Sequence, residues 1–291
     1  MRPFFAFCVF LFSAALTFAQ QNISFRDQKK FAQHLFDDHL YDECVQVIND
    51  CRTHYVMDPI VQDSMQELEA ECFSRLLQYD SAAVHYREVV ADQDLVRFRL
   101  HACYSFSRSG KFSSAVDCLP SIIPGDTIRN ELNYYFGRCL SLLQGRKSFE
   151  QNDQLIRPPQ SNYFIHKTGE LKSYALRLKK AGRKSMFLAG LMSAVVPGTG
   201  KIYAGKWRAG LTSFVPIAVM GLEAWEAYKK DGWKSVRFAV FGSLFGVFYI
   251  GNIWGSALSV SVQRREIENE IHSEILLGMH ISLQHVFGES R

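Results

Sequence analysis

Between Phe238 and Val262 the chain runs for 25 residues without one charged side chain. As a helix that run would be about 37 Å long, against a bilayer hydrocarbon core of about 30 Å. It therefore predicts a membrane-spanning helix, with a buried helix of a soluble core as the alternative. Two shorter apolar runs precede it. Met186–Val196 ends at Pro197 and is sized for a re-entrant or interfacial segment. Ala209–Leu222 is interrupted by Pro216, passes into Glu223-Ala224-Trp225-Glu226, and can span with help from a neighbour. The mean hydropathy of the whole chain is only −0.08. The apolar runs are thus set into an otherwise polar chain, which excludes a protein that is polytopic throughout.

Charge follows the same division. The net charge is +4, yet the stretch from Lys167 to Arg208 holds ten Lys or Arg and one acid, Glu170, a net of +9 that leaves −5 for the remainder. A basic block beside apolar runs is placed to face anionic phospholipid head groups. Nucleic acid is the rival partner. The few aromatic stacking positions near the block argue against it, and no nucleic acid is expected.

At the start, Arg2, an apolar stretch from Phe4 to Phe18 and Thr17-Phe18-Ala19 precede the polar Gln20-Gln21-Asn22. That is the pattern of a cleaved secretory signal over residues 1–19. The residues that follow are expected outside the cytoplasm.

Residues 20–150 repeat. The small residues Ala32, Ala70, Cys103 and Gly137 fall at spacings of 38, 33 and 34, and Leu35, Phe73, Phe106 and Leu140 follow each by three. Twelve positions after the first three come Cys44, Ala82 and Ala115, each introduced three residues earlier by Tyr41, Tyr79 or Phe112. A small residue at each site lets two helices approach closely, and the period is that of a helix–turn–helix repeat of about 34 residues. In Tyr41-Asp42-Glu43-Cys44-Val45, Tyr79-Asp80-Ser81-Ala82-Ala83 and Gly110-Lys111-Phe112-Ser113-Ser114-Ala115, with Asp58-Pro59 between repeats, the segment resembles the tetratricopeptide repeat family. The first interval carries about four extra residues, and the fourth unit loses the pattern after Gln144-Gly145. The resemblance implies a short helical solenoid whose concave face binds a protein segment; a spacer or packing surface is the plainer alternative.

Cys44 and Cys51 are seven apart on one predicted helix, about 10 Å by the helical rise, too far to bridge. The cysteines read as buried small hydrophobes, with an inter-helix disulfide open to an exported domain. A boundary falls near Arg157-Pro158-Pro159-Gln160, and residues 151–184 read as a linker and a helix with a basic end at Arg177, Lys179, Lys180, Arg183 and Lys184.

Pro197-Gly198-Thr199-Gly200-Lys201-Ile202-Tyr203-Ala204-Gly205 suggests a phosphate loop and fails the test. Val195 stands where the Walker pattern needs Gly, Ile202 where it needs Ser or Thr, and Tyr203 where the dinucleotide pattern needs a third Gly. From Ser193 to Gly210 the stretch instead resembles small bacterial membrane-hairpin domains with a Pro-Gly-x-Gly-x-x-Tyr-x-Gly signature. Tyr249-Ile250-Gly251-Asn252-Ile253-Trp254-Gly255 is similar to the ending of some members. The resemblance implies a membrane module over 185–262 and no reaction.

Physically, Pro197 and the glycines would break the helix in the interface, with Tyr203 and Trp207 at head-group level. Gly242, Gly246, Gly251 and Gly255 would form a face for close helix packing. Asn252 is expected to bond across the packed pair, or else to line a polar path.

Glu223 and Glu226 read as solvated interfacial acids. No histidine falls in HExxH or HxxxH, and nothing combines nucleophile, base and orienting group, so no enzyme, metal or cofactor is expected. The tail, 263–291, begins with charged helix. It ends in alternation at Met279, Ile281 and Leu283, to be read as strand, helix face or self-association element. Two topologies remain. In one the last two apolar runs form a hairpin around the basic loop of Lys229, Lys230, Lys234 and Arg237. In the other the first run also spans, and the tail is cytoplasmic.

The expectation is an all-α chain: a non-enzymatic protein of the bacterial inner membrane. Its periplasmic repeats bind a protein partner, its hairpin meets anionic phospholipid, and self-association is a further partnership. The alternative is a membrane module that itself acts on lipid or on membrane-protein insertion, regulated or oligomerised by the repeats.

Overall fold

The computed structural model describes residues 25–56, 58–90, 95–121, 125–152 and 159–288. The signal peptide expected at 1–19 and the Arg157-Pro158 boundary lie outside them. Among the described residues there are thirteen helices and no strand: the chain is all-α. It divides into two compact units, one of residues up to 140 together with those from 280 on, the other of residues 141–279.

The first unit holds α1 (Phe25–Asp37), α2 (Tyr41–His54), α3 (Pro59–Arg75), α4 (Tyr79–Glu88), α5 (Leu95–Arg108), α6 (Phe112–Asp117) and most of α7 (Thr127–Gln144). From α1 to α6 each helix packs on the next, and α1 also touches α3. The small residues explain the approach: Ala32, Cys44, Ala70, Ala82, Cys103 and Ala115 are all fully buried. The Cys44 thiol donates to the carbonyl of Ala32 at 3.2 Å. Gly137 is half-buried, with Leu119 Cδ1 3.8 Å from where a Cβ would stand. Around α1 to α3, Leu35, Ile48, Met65 and Leu68 fill one core. Burying a side chain such as Ile48 contributes about 1.5–3 kcal/mol.

One turn recurs with the repeat. Seven residues after Ala32, Ala70 and Cys103 stand His39, Leu77 and Gly110, at φ of 65°, 61° and 77°. Each left-handed residue lets the next amide reach back to the helix just ended. Leu40 N donates to Leu35 O, Gln78 N to Phe73 O and Lys111 N to Phe106 O, all at 2.9 Å. This pairing satisfies the last carbonyls of the first helix and aims the chain into the second. The fourth turn shifts by one, to Gly145 at φ 135°.

The second unit begins within α7 and continues through α8 (Arg146–Asn152), α9 (Asn162–Gly182), α10 (Met186–Val195), α11 (Thr199–Ala204), α12 (Trp207–Asp231) and α13 (Val236–Phe287). Ser161 and Ser185 cap α9 and α10, their hydroxyls accepting from the amides of Phe164 and Leu188. Pro216 lies inside α12, which runs unbroken for 25 residues.

The division at residue 262 is not in the fold. The apolar run and the charged segment after it form one helix of 52 residues, because Gln263–Glu270 are good helix formers with no Gly or Pro among them. Met279 and Leu283, one turn apart, are buried, while Ile281 is 42% exposed. The 279–283 pattern is therefore a helix face. Strand is excluded there.

Candidate functional site

The Pro-Gly segment forms a compact knot in the second unit. Gly198, at φ 86°, turns the chain out of α10, and Gly205, at φ 103°, ends α11. Backbones meet here at distances no side chain allows. A Cβ on Gly198 would lie 2.2 Å from Gly210 O, one on Gly200 1.9 Å from Ala189 O, and one on Gly210 2.6 Å from Ile202 Cγ1. Pro197 is half-buried just before Gly198. The Thr199 hydroxyl donates to Met192 O at 2.7 Å and Lys184 Nζ to Ala204 O at 2.9 Å, so a side-chain donor holds the C-terminal end of each short helix. Tyr203 has a role the sequence did not suggest: its hydroxyl accepts from the amide of Ser185, at the start of α10.

The exit from α11 is the repeat turn again. Lys206 N donates to Lys201 O at 2.9 Å, matching the three turns of the first unit. Lys206, at φ −103° and ψ 63°, has nearly the backbone of Leu40, Gln78 and Lys111.

Polar side chains gather where α10, α12 and α13 meet. Ser193 Oγ donates to Ser256 Oγ at 2.7 Å and accepts from Gly200 N at 2.9 Å, both serines being fully buried. Lys201 Nζ donates to Ser213 Oγ, and the Tyr249 hydroxyl to Ala194 O. Asn252 is buried too, but among the described residues neither its amide nitrogen nor its oxygen has a hydrogen-bond partner. The expected bond across the packed pair is absent. Nor do the glycines of α13 form a packing face: Gly246 and Gly251 have open space where a Cβ would go, and Gly255 meets only Lys201. Helix α10 approaches α13 through Gly190, opposite Ile253 and Ala257.

Among the described residues one helix, α13, is long and apolar enough to cross a membrane, and only 6% of its apolar window is buried. A soluble core helix would be covered. Trp225, Trp233, Trp254, Leu222 and Val247 are likewise exposed. Helix α10 is apolar but only 10 residues long. Glu223 and Glu226 take neither buried nor paired-acid positions: Arg237 donates to Glu223 at 2.8 Å and Lys230 to Glu226 at 2.6 Å.

The basic block is partly neutralised from within. Arg177 pairs with Glu270 and Glu274 at 3.0 and 3.4 Å, Lys206 with Glu266 at 2.7 Å, and Lys167 with Glu170 at 3.0 Å. Hydrogen bonding to Glu270 holds the Arg177 guanidinium above its ordinary pKa. Lys172 and Lys179 edge a shallow groove of about 340 Å³, floored by Phe149, Ala175 and Leu176.

In the first unit, buried Glu69 of α3 pairs with Arg52 of α2 and, at 3.4 Å, with His85 of α4. Arg97 of α5 pairs with Glu67 at 2.6 Å. None of the six described cysteines is in a disulfide, and all six are buried. Hydrogen bonding between the thiols draws Cys44 down and pushes Cys72 up, and burial pushes Cys103 well up. Among the described residues no cluster of His, Cys, Asp or Glu could hold a metal ion.

The last turns of α13 lie on the first unit's own helices. His280 stacks on Tyr104 of α5 at 5.5 Å between ring centroids, and Phe287 stands 6.5 Å from the ring of His101. The Arg129 guanidinium of α7 is 5.7 Å from the Phe287 ring. No sequence signal links these positions; only the apolar spacing of residues 279–287 hints that this end has a covered face. Comparison with known protein families, curated proteins and solved structures gives no match.

Proposed function

We propose that the chain is a non-enzymatic membrane-anchored adaptor of the bacterial envelope, in which tetratricopeptide-like helix pairs bind a protein partner and a hairpin of α12 and α13 holds them at the inner membrane. The observation that carries the reading is the turn repeated at His39, Leu77 and Gly110, in register with fully buried small residues. It stacks helix pairs into a short solenoid, the architecture that such repeats use to present a binding surface. Tethering then raises the partner's local concentration without any new contact.

The hairpin topology is part of this proposal, with the C-terminal end of the span on the repeats' side of the membrane; the packing of the last turns of α13 within the first unit supports it. Export of the repeats then leaves the loop with Lys229, Lys230, Lys234 and Arg237 in the cytoplasm, as the positive-inside rule prefers. The second topology, with a cytoplasmic tail, separates segments that touch. An impermeant thiol reagent that reached Ser235→Cys from outside intact cells would reverse this assignment. Lys172, Lys179, Lys180 and Arg183, which have no carboxylate partner among the described residues, are left for anionic head groups.

The test is capture of the tagged full chain from native membranes in mild detergent, beside a version lacking residues 25–140. A defined partner lost with the repeats is expected. Lipid or self-association alone, unchanged by the deletion, would shift the function to the membrane module.

A further inference from the structure

Lys201 holds its ammonium group where a charge is costly. Lys206 of the same segment pairs with Glu266, beyond the end of the apolar run, but Lys201 turns the other way. Its Nζ donates to Ser213 Oγ of α12, and its Cε and Nζ lie 3.7 and 3.9 Å from where a Cβ on Gly255 of α13 would stand. Gly255 comes seven residues before Val262, about 10 Å inside the apolar run by the helical rise. The Ser213 hydroxyl gives its own proton to Ala209 O at 2.8 Å and accepts from Lys201. An ammonium has three N–H donors, and Ser213 is the acceptor for one of them. Among the described residues no carboxylate pairs with Lys201. A lysine inside an apolar span ordinarily faces a partner or a polar path.

Asn252 stands one turn further in. It precedes Gly255 by three residues and Ser256 by four and follows Tyr249 by three, so it shares the face of α13 that meets Lys201, Ser193 and Ala194. It is 6% exposed, and among the described residues neither end of its amide is paired. Lys201 and Ser213 are half-buried, so the arrangement is open at their end and closed at Asn252. Leu211 and Phe214 on α12 and Leu258 on α13 are exposed beside it.

We propose that Lys201, Ser213 and Asn252 form a site for the head group of an anionic phospholipid that carries a hydroxyl, phosphatidylglycerol being the simplest. This rests on the membrane reading of α12 and α13, and adds one built site to the diffuse attraction of the basic block. The chemistry follows from the unused groups. The remaining Lys201 donors take an anionic phosphodiester oxygen, and the Asn252 amide donates to a second acceptor. The Asn252 carbonyl needs a donor, which a bare phosphodiester lacks and a head-group hydroxyl supplies. An ethanolamine or choline head would bring its own cation towards Lys201 and is disfavoured. The acyl chains of the bound lipid lie along the exposed Leu211, Phe214 and Leu258. Its head group is drawn below the ordinary level, as a charge inside a span thins the bilayer around it.

The probe is dioleoyl phosphatidylglycerol, added to the delipidated full chain in neutral detergent and counted by native mass spectrometry. Dioleoyl phosphatidylmethanol has the same charge without the hydroxyl, dioleoyl phosphatidylethanolamine carries the extra cation, and glycerol 1-phosphate is the head group without its chains. One phosphatidylglycerol per chain is expected, held at least tenfold tighter than any of the three. Asn252→Leu changes no charge, yet should abolish the preference. It should also raise the unfolding midpoint of the lipid-free protein, because it removes an unpaired buried amide. Lys201→Gln should lose the tight lipid as well, and decides the matter if Asn252→Leu does not fold. Phosphatidylglycerol and phosphatidylmethanol held equally would overturn the proposal, since the basic block alone would do that. Wild-type affinity in a folded Asn252→Leu would overturn it too. Equal affinity for glycerol 1-phosphate would overturn the lipid as the occupant. No partner protein enters this assay, so its failure leaves the adaptor reading standing, and failed partner capture leaves this site standing.

Discussion

The Ser193 hydroxyl donates to Ser256 Oγ at 2.7 Å while accepting from the Gly200 amide at 2.9 Å, so one buried side chain ties α10, α11 and α13 together across 63 residues of sequence. In apolar surroundings such bonds are strong, since no water replaces a lost partner.

Ser193→Ala leaves both the Gly200 amide and the Ser256 hydroxyl unpaired. The expected loss is about 1–3 kcal/mol for each buried group stranded, seen as a lower unfolding midpoint in detergent. Ser256→Ala should be milder, because Ser193 still receives the Gly200 amide. Equal midpoints for the two variants would contradict this geometry.

The glycines of the membrane module divide into two classes. Gly198→Ala and Gly200→Ala drive a methyl group into the carbonyls of Gly210 and Ala189, and should prevent the knot from closing. Gly246→Ala, with open space around it in a helix, should be silent. Protease resistance of the detergent-solubilised variants separates the classes, and a disruptive Gly246→Ala would show that the glycine face of α13 is covered after all.

Leu77 occupies the left-handed turn that Gly110 fills in the next repeat, and its side chain is 69% exposed. Leu77→Gly should relieve that strain and stabilise the first unit by about 0.5–1 kcal/mol. Gly110→Ala should destabilise it by about 1 kcal/mol. Denaturant unfolding of the variants tests the pair, and a destabilised Leu77→Gly would refute a strained turn.

Burial of His272, on α13 beyond the apolar run, lowers its pKa from the ordinary 6.5. The unfolded chain therefore binds the proton more readily, and this contribution to stability is present above about pH 6.5 and lost as the pH falls through the lower folded value. Between pH 7.5 and 5.5 the wild type should lose more stability than His272→Gln. Parallel pH profiles would show that His272 is not held neutral.

What could be read in the sequence is what short-range spacing encodes. The small residues from Ala32 to Ala115 appear at their period because two close helices tolerate nothing larger. The spanning length of α13 is a property of composition. The turn was legible at Gly110 but hidden at His39 and Leu77, where a side chain accepts a conformation that glycine would advertise. The continuity of α13 past Val262 was masked by a change of polarity that leaves helix propensity untouched. Met279, Ile281 and Leu283 satisfy both a strand and a helix spacing, and only a surface to bury against chooses between them. A polar residue in an apolar helix is expected to find a partner, and only the packed neighbours of Asn252 show that, among the described residues, its side chain does not. The Ser193–Ser256 bond and the seat of Phe287 depend on long-range contacts, which local patterns do not carry.

The division of labour between the two units is tested most directly by replacing residues 186–262 with an unrelated spanning hairpin and measuring partner capture from native membranes. If the hairpin only anchors, capture should persist at the level of the unaltered chain. Capture lost while the repeats remain folded and membrane-bound would contradict the account and make the hairpin the operative part.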